Sequence, residues 1–139
     1  VLVLVDTCIW SLALRRRSKD LAPKEASYRE ELGELAEQGR VRLAGPIRQE
    51  ILSGVRDTSQ YEQLREYLRA FPDEPLAVTD YELAAAFSNK CRGAGVSGSA
   101  VDFLICAAAS SRKWAIFTCD GDFESYRRIL GIALHSPRE

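Results

Sequence analysis

Five acidic residues stand beside the ends of apolar segments. Asp6 follows VLVLV, and Asp120 and Asp122 follow WAIFT. Asp102 lies in the first turn of AVDFLICAAASSR, and Glu50 lies in PIRQEILSG, just after VRLAG. Each has an ordinary explanation when taken alone. Asp6 can cap the next helix, and Asp102 can serve the dipole of its own helix with Ser99 as N-cap. Asp120-Gly121 is a common turn, Asp122 a common helix-start acid, and Glu50, one turn from Ile47, can sit on a solvated face. The joint pattern is more demanding. Two like charges about 4 Å apart repel by roughly 4 kcal/mol at an effective dielectric of 20. Several acids meeting at one sheet edge therefore need a cation or a proton. Oxygen ligands without histidine or thiolate favour Mg²⁺ or Mn²⁺. The chemistry such a cluster supports is metal-dependent phosphoryl transfer.

The elements that must position these acids alternate between strand and helix. VLVLV has the continuous apolar character of a strand buried on both faces. TCIWSLALRR predicts a helix, and SKDLAPKE a polar break. ASYREELGELAEQG predicts an amphipathic helix closed by Gly39. VRLAG is a short strand, followed by a helix with Pro46 in its first turn and Gly54 at its end. TSQYEQLREYLRAF predicts another amphipathic helix and EPLAV a short strand. Thr79 and Glu82 have capping-box spacing at the head of DYELAAAFSNKCRGAG. A Gly/Ser loop, GAGVSGS, delivers the central helix AVDFLICAAASSR. WAIFT is a buried strand, CDGDFESYRRILG a turn and short helix, and IALHS the last strand. The reading is an α/β fold with a mainly parallel sheet. Ligands of such sheets sit at the carboxyl ends of the strands, where Asp6, Asp120 and Asp122 fall.

Length and composition set the limits. The 139 residues suit one domain, residues 1–139, with a real core. Nineteen basic and 20 acidic residues leave a net charge of −1, so nucleic-acid binding must come from a local patch. No apolar run approaches the roughly 20 residues of a membrane span, and the N-terminal run lacks the form of a signal peptide. A soluble, cytoplasmic protein is expected. Cys8, Cys91, Cys106 and Cys119 are scattered and His135 is the single histidine, which argues against zinc. Cys106 and Cys119 read as small core residues. Trp10 and Trp114 read as core rather than as stacking platforms. GAGVSGS lacks the Lys-Ser/Thr ending of a P-loop. DTC lacks the second acid of a dehalogenase-like phosphatase, and DTC and TCDGDF lack the pattern of a receiver domain.

Four pieces in order resemble one family: VLVDTCIW, GPIRQEILSG, VSGSAVDFLICAAA and IFTCDGDF. Across essentially its whole length the chain resembles PIN-domain ribonucleases, most nearly the VapC-type toxins of toxin–antitoxin pairs. By that resemblance Asp6, Glu50, Asp102 and Asp120 match the family's acidic quartet, and Asp122 a further acid. The motif does not choose between Asp120 and Asp122 as the acid nearer the metal. Thr7 and Thr118 match hydroxyl positions near the site.

The resemblance implies a PIN-like three-layer fold, a mainly parallel central sheet flanked by helices. It also implies Mg²⁺- or Mn²⁺-dependent cleavage of structured RNA (tRNA or rRNA), an antitoxin partner and a homodimer. Asp6 and Asp102 would be the primary metal ligands. Glu50 and Asp120 would bind a second ion or hold and deprotonate the attacking water. The basic cluster Arg15, Arg16, Arg17 and Lys19 is either a solvated helix end or a phosphate contact. Tyr61, Leu64, Leu68 and Phe71 offer a helical face for a dimer. The alternative reading is a non-catalytic PIN-like module that binds a partner protein; a missing quartet acid would have favoured it.

Overall fold

The computed structural model describes residues 1–15 and 18–138. Its sheet has four strands: β1 (Val3–Val5), β2 (Val41–Arg42), β3 (Ala115–Phe117) and β4 (Ala133–Leu134). They lie in the order β2-β1-β3-β4, all pairs parallel. Val3 pairs with Val41 on one side and with Ala115 on the other, and Val5 pairs with Phe117. Val3, Leu4 and Val5 are fully buried, as their unbroken apolar run requires. The chain leaves β1 toward one edge of the sheet and later re-enters on its other side at β3. The seam between β1 and β3 is thus the point where strand order reverses, the place where open α/β sheets form their sites.

The helices are α1 (Thr7–Arg15), α2 (Pro23–Glu37), α3 (Gly45–Ser53), α4 (Thr58–Leu68), α5 (Val78–Gly93), α6 (Ala100–Arg112) and α7 (Asp122–Leu130). α1 packs on α2, whereas α5 packs on both α6 and α7, so two helical groups flank the sheet. Right-handed crossovers place them on opposite faces. α6 is the central helix; Phe103, Ile105, Cys106, Ala107, Ala108 and Ala109 are buried along it. Its small residues let it lie close to β1 and β3. Trp10 is buried, donates from Nε1 to the Val5 carbonyl at 3.1 Å, and so pins α1 to the end of β1.

The boundaries differ from the sequence reading at four places. The segment read as a polar break contains a 3₁₀ turn, Ser18–Asp20, and the first turn of α2. Proline is well suited to that first turn, and Glu25 reaches back to the Ala22 N–H at 2.9 Å. EPLAV forms no strand; only a bridge between Leu43 and Asp73 precedes it. α5 starts at Val78, and its cap is Asp80 accepting from the Ala77 N–H at 2.8 Å, not the Thr79–Glu82 pair. Finally, Leu68 is buried, and Phe71 packs edge-on against Trp10 with ring centroids 5.2 Å apart. Leu64 also packs against the core, which thus takes three of the four residues of the face read as a dimer surface.

Two buried acids absent from the candidate set hold the frame. Asp80 receives both terminal nitrogens of Arg112, at 2.8 and 2.9 Å, which locks the start of α5 to the end of α6. Arg112 keeps the Asp80 carboxyl well below its ordinary range. Glu31 of α2 receives His135 Nε2 at 2.5 Å and Arg138 Nε at 2.7 Å, tying the C-terminal segment across α2.

Candidate active site

Asp6 is the first residue beyond β1. Its N–H donates to the Phe117 carbonyl at 2.9 Å, which extends the β1–β3 ladder by one rung. The carboxylate that follows is 7 % exposed. Oδ1 accepts from the Thr7 N–H at 2.8 Å, and Oδ2 accepts from the Thr118 hydroxyl at 2.8 Å, with Cys8 Sγ at 3.8 Å. Burial raises the Asp6 pKa. The bonds from Thr118 and Thr7 act against that rise, and the charges of Asp102 and Glu50 add to it.

Asp102 occupies the first turn of α6. Its N–H donates to the Ser99 hydroxyl at 3.1 Å, the N-cap bond that GAGVSGS supplies. Its Oδ2 accepts from the Tyr126 hydroxyl of α7 at 3.0 Å. Burial again raises the pKa, the bonds from Tyr126 and Ser99 oppose the rise, and Asp120 and Asp122 add to it. Asp120 stands just past β3. Its N–H donates to the Thr118 hydroxyl oxygen at 3.0 Å, and its Oδ1 accepts from the Asp122 N–H at 2.9 Å. Glu50 is exposed on α3.

Asp6, Glu50, Asp102 and Asp120 line one open cleft of about 450 Å³, together with Thr7, Cys8, Ser11, Leu12, Glu25, Ser99 and Cys119. No Lys or Arg is among these residues. Asp122 is not on the lining; its N–H is capped by Asp120 Oδ1, and its charge reaches Asp102. Thr118 does not line the cleft either, but bonds both Asp6 and Asp120 from behind. Arg16 and Arg17 of the basic cluster lie outside the described residues, as does the side chain of Arg15; Lys19 is exposed. Cys106 is buried as expected, but Cys119 is exposed at the cleft, a correction to its reading as core.

The lining suits a hard divalent cation. The four carboxylates offer only oxygen, and among the described residues of the lining no side-chain cation competes with a metal. The Thr7 hydroxyl is buried without a hydrogen-bond partner, the only such hydroxyl among the described residues. The set is not closed, however. Among the described residues no three His, Cys, Asp or Glu side chains stand together as a ready ligand group. Asp6 is tied to Thr7 and Thr118, and Asp102 to Tyr126. Ligating a common ion requires the carboxylates to turn toward one another, which the ion's charge favours.

Sequence reasoning missed Tyr126 and Glu25. Tyr126 lies one turn after Phe123 on the buried stripe of α7, and a buried tyrosine hydroxyl needs a partner. That stripe was the available signal. Glu25 gave none, because its segment read as a break.

A model of the PIN domain matches residues 3–129. The chain is 29 % identical to VapC ribonuclease Mb1587 of Mycobacterium bovis and to Ribonuclease VapC11 of Mycobacterium tuberculosis, with 99 % of this chain and 100 % of each relative covered. Among solved structures it resembles FitAcB from Neisseria gonorrhoeae, with a TM-score of 0.74 at 20 % identity over 98 % of both chains. It also resembles VapBC2 from Rickettsia felis bound to a DNA fragment from their promoter, with a TM-score of 0.70 at 16 % identity over 97 % of this chain and 98 % of that one. At such identities the solved structures speak for the fold alone. With the fold, the carboxylate cleft and a family match across most of its length, the chain belongs to the PIN-domain family.

Proposed function

We propose that this chain is a single-domain, metal-dependent endoribonuclease and the toxin of a toxin–antitoxin pair. The observation that carries the reading is the meeting of Asp6, Glu50, Asp102 and Asp120 on one cleft at the β1–β3 seam, with no cationic side chain among the described residues of its lining. The relatives named as ribonucleases support the substrate class. The VapC name of these relatives agrees with the toxin role, and with it an antitoxin partner.

Asp6 and Asp102 are the residues that would hold Mg²⁺ or Mn²⁺, being the two most enclosed of the four matched acids. A bound divalent ion supplies charge neutralisation at the phosphate and eases deprotonation of the attacking water. Glu50 and Asp120, both exposed at the cleft, orient that water and accept its proton. Thr118 fixes the Asp6 carboxylate and the backbone of Asp120 together, so the two acids keep their spacing. Ser99 and Tyr126 do the same for Asp102. RNA reaches the cleft from its open side, and Lys19 with its basic neighbours is the phosphate contact on this reading.

The same carboxylates would attract an arginine from an antitoxin tail, which pairs bidentately with two of them and excludes substrate. An open groove of about 630 Å³, lined by Leu14, Val55, Leu64 and Tyr67 together with Arg56, Asp57, Gln60 and Gln63, would take the rest of that tail. The homodimer takes a different surface from the one first expected. Val78 and Tyr81 are exposed beside an apolar groove lined by Pro46, Ala84, Val101 and Leu104, and this α5–α6 face is the better candidate.

Incubation of the purified protein with total cellular RNA and Mg²⁺ or Mn²⁺ tests the activity. Cleavage that EDTA and Asp6→Asn both abolish supports the proposal. RNA left intact with either ion, by protein that still binds an antitoxin, would make the chain an interaction module instead.

A further inference from the structure

Two thiols meet at the mouth of the cleft, and the mechanism uses neither. Cys8 is in the first turn of α1, and Cys119 is the second residue beyond β3, so they sit at the carboxyl ends of the two strands that flank the seam. The Cys119 N–H donates to Cys8 Sγ at 3.0 Å, and both residues line the cleft. With an N–Cα bond of about 1.46 Å, the Cys119 Cα is no more than about 4.5 Å from Cys8 Sγ. That separation is within the reach of a disulfide. Cys119 is exposed and Cys8 half-buried, whereas Cys91 and Cys106 are buried. The chain has no methionine, which leaves these thiols as the accessible sulfur.

We infer that Cys8 and Cys119 form a reversible disulfide on exposure to a hydroperoxide, and that this bond switches off the cleft. The consequence for activity rests on the ribonuclease reading; the formation of the bond does not. One of the two sulfurs attacks the peroxide, breaks its O–O bond and becomes a sulfenic acid while one water leaves. The other attacks that sulfur, the S–S bond forms, and the sulfenic oxygen leaves as a second water. Two thiols give up two electrons and two protons, and hydrogen peroxide takes up both to become two waters. A cytosolic disulfide of this kind is typically transient and redox-sensing.

The bond changes the site in two ways. Cys8 loses the S–H that faces Asp6 Oδ2. Cys119 is drawn onto the start of α1, and the next residue, Asp120, is pulled from its N–H bond to Thr118. Asp6 and Asp120 then lose their common support.

The experiment compares reduced protein with protein treated with hydrogen peroxide. Peptide mapping under non-reducing conditions should find Cys8 linked to Cys119, with an intact mass lower by two hydrogens. Cleavage of total cellular RNA should fall at least ten-fold and return with dithiothreitol. A Cys119→Ser variant should show the same rate before and after peroxide, measured against its own untreated form. Absence of the 8–119 link, or a linked protein that cleaves at the reduced rate, overturns the inference. If the reduced protein cleaves no RNA, the ribonuclease reading fails, and peptide mapping still decides whether the thiol pair closes.

Discussion

The Thr118 hydroxyl donates to Asp6 Oδ2 at 2.8 Å across the seam between β1 and β3. The same oxygen accepts the Asp120 N–H at 3.0 Å. One hydroxyl thus sets the position of two acids that are more than a hundred residues apart in the chain. Thr118→Val keeps the shape and removes both bonds. RNA cleavage should fall about 10- to 100-fold, the usual cost of losing a ligand's outer support. Circular dichroism should be unchanged, and Thr118→Ser should restore most of the rate. Full activity in the valine variant would remove this role.

Asp6→Asn should abolish cleavage and blunt the rise in melting temperature that Mg²⁺ or Mn²⁺ produces in the parent protein. Binding to the folded state alone stabilises by about 2.7 kcal/mol at a hundred-fold excess over Kd. Burial holds the Asp6 pKa high, so its ionised form costs folding free energy at neutral pH. The metal-free asparagine variant should therefore be at least as stable as the parent at pH 7. A group with a raised folded pKa stabilises below its unfolded pKa and loses that contribution as pH rises through the folded value. The variant's advantage should consequently vanish in acid. Differential scanning calorimetry across pH, with and without metal, checks each part.

Gly98→Ala tests the support of Asp102. A Cβ at Gly98 would collide with the Tyr126 hydroxyl and press on the Phe103 ring. The methyl group must displace Tyr126, the donor to Asp102 Oδ2. We expect a loss of about 1–3 kcal/mol from overpacking, together with reduced cleavage. Tyr126→Phe in the same chain should recover part of the stability without recovering the activity. Additive stability losses in the double variant would show that the two residues do not meet.

Asp80→Asn should lower stability by about 3 kcal/mol, because it leaves the enclosed Arg112 guanidinium without its bidentate partner. The drop in melting temperature is on the order of 10 °C. Arg112 depresses the Asp80 pKa below its ordinary value of 3.8. The native carboxylate thus contributes stability above that ordinary value and loses it as pH falls toward the folded one. The penalty should be full at pH 7 and shrink only below the ordinary carboxylate range. Equal penalties at pH 7 and in strong acid would sink the account.

Much of this molecule is legible without coordinates. The unbroken apolar run of VLVLV specifies a strand buried on both faces, and alternation with helices specifies a parallel sheet. AVDFLICAAASSR is apolar around most of its circumference, which makes it the central helix, and its predicted range coincides with α6. Asp6, Asp102 and Asp120 could be singled out because each follows or opens an apolar element, a local property. What the sequence could not decide depends on contacts between distant segments. Strand order put Asp6 and Asp120 on the same seam, and only pairing across that seam made Thr118 their shared partner. The packing of α7 on α5 and α6 aimed Tyr126 at Asp102 and turned Gly98 into a spacing requirement. EPLAV has strand-like residues but forms no strand, since only Leu43 bridges to the residue before it. Leu68 and Phe71 had the spacing of a docking face, yet Trp10 and the core claimed them. Local pattern selects elements and candidate acids; long-range packing selects which of them meet.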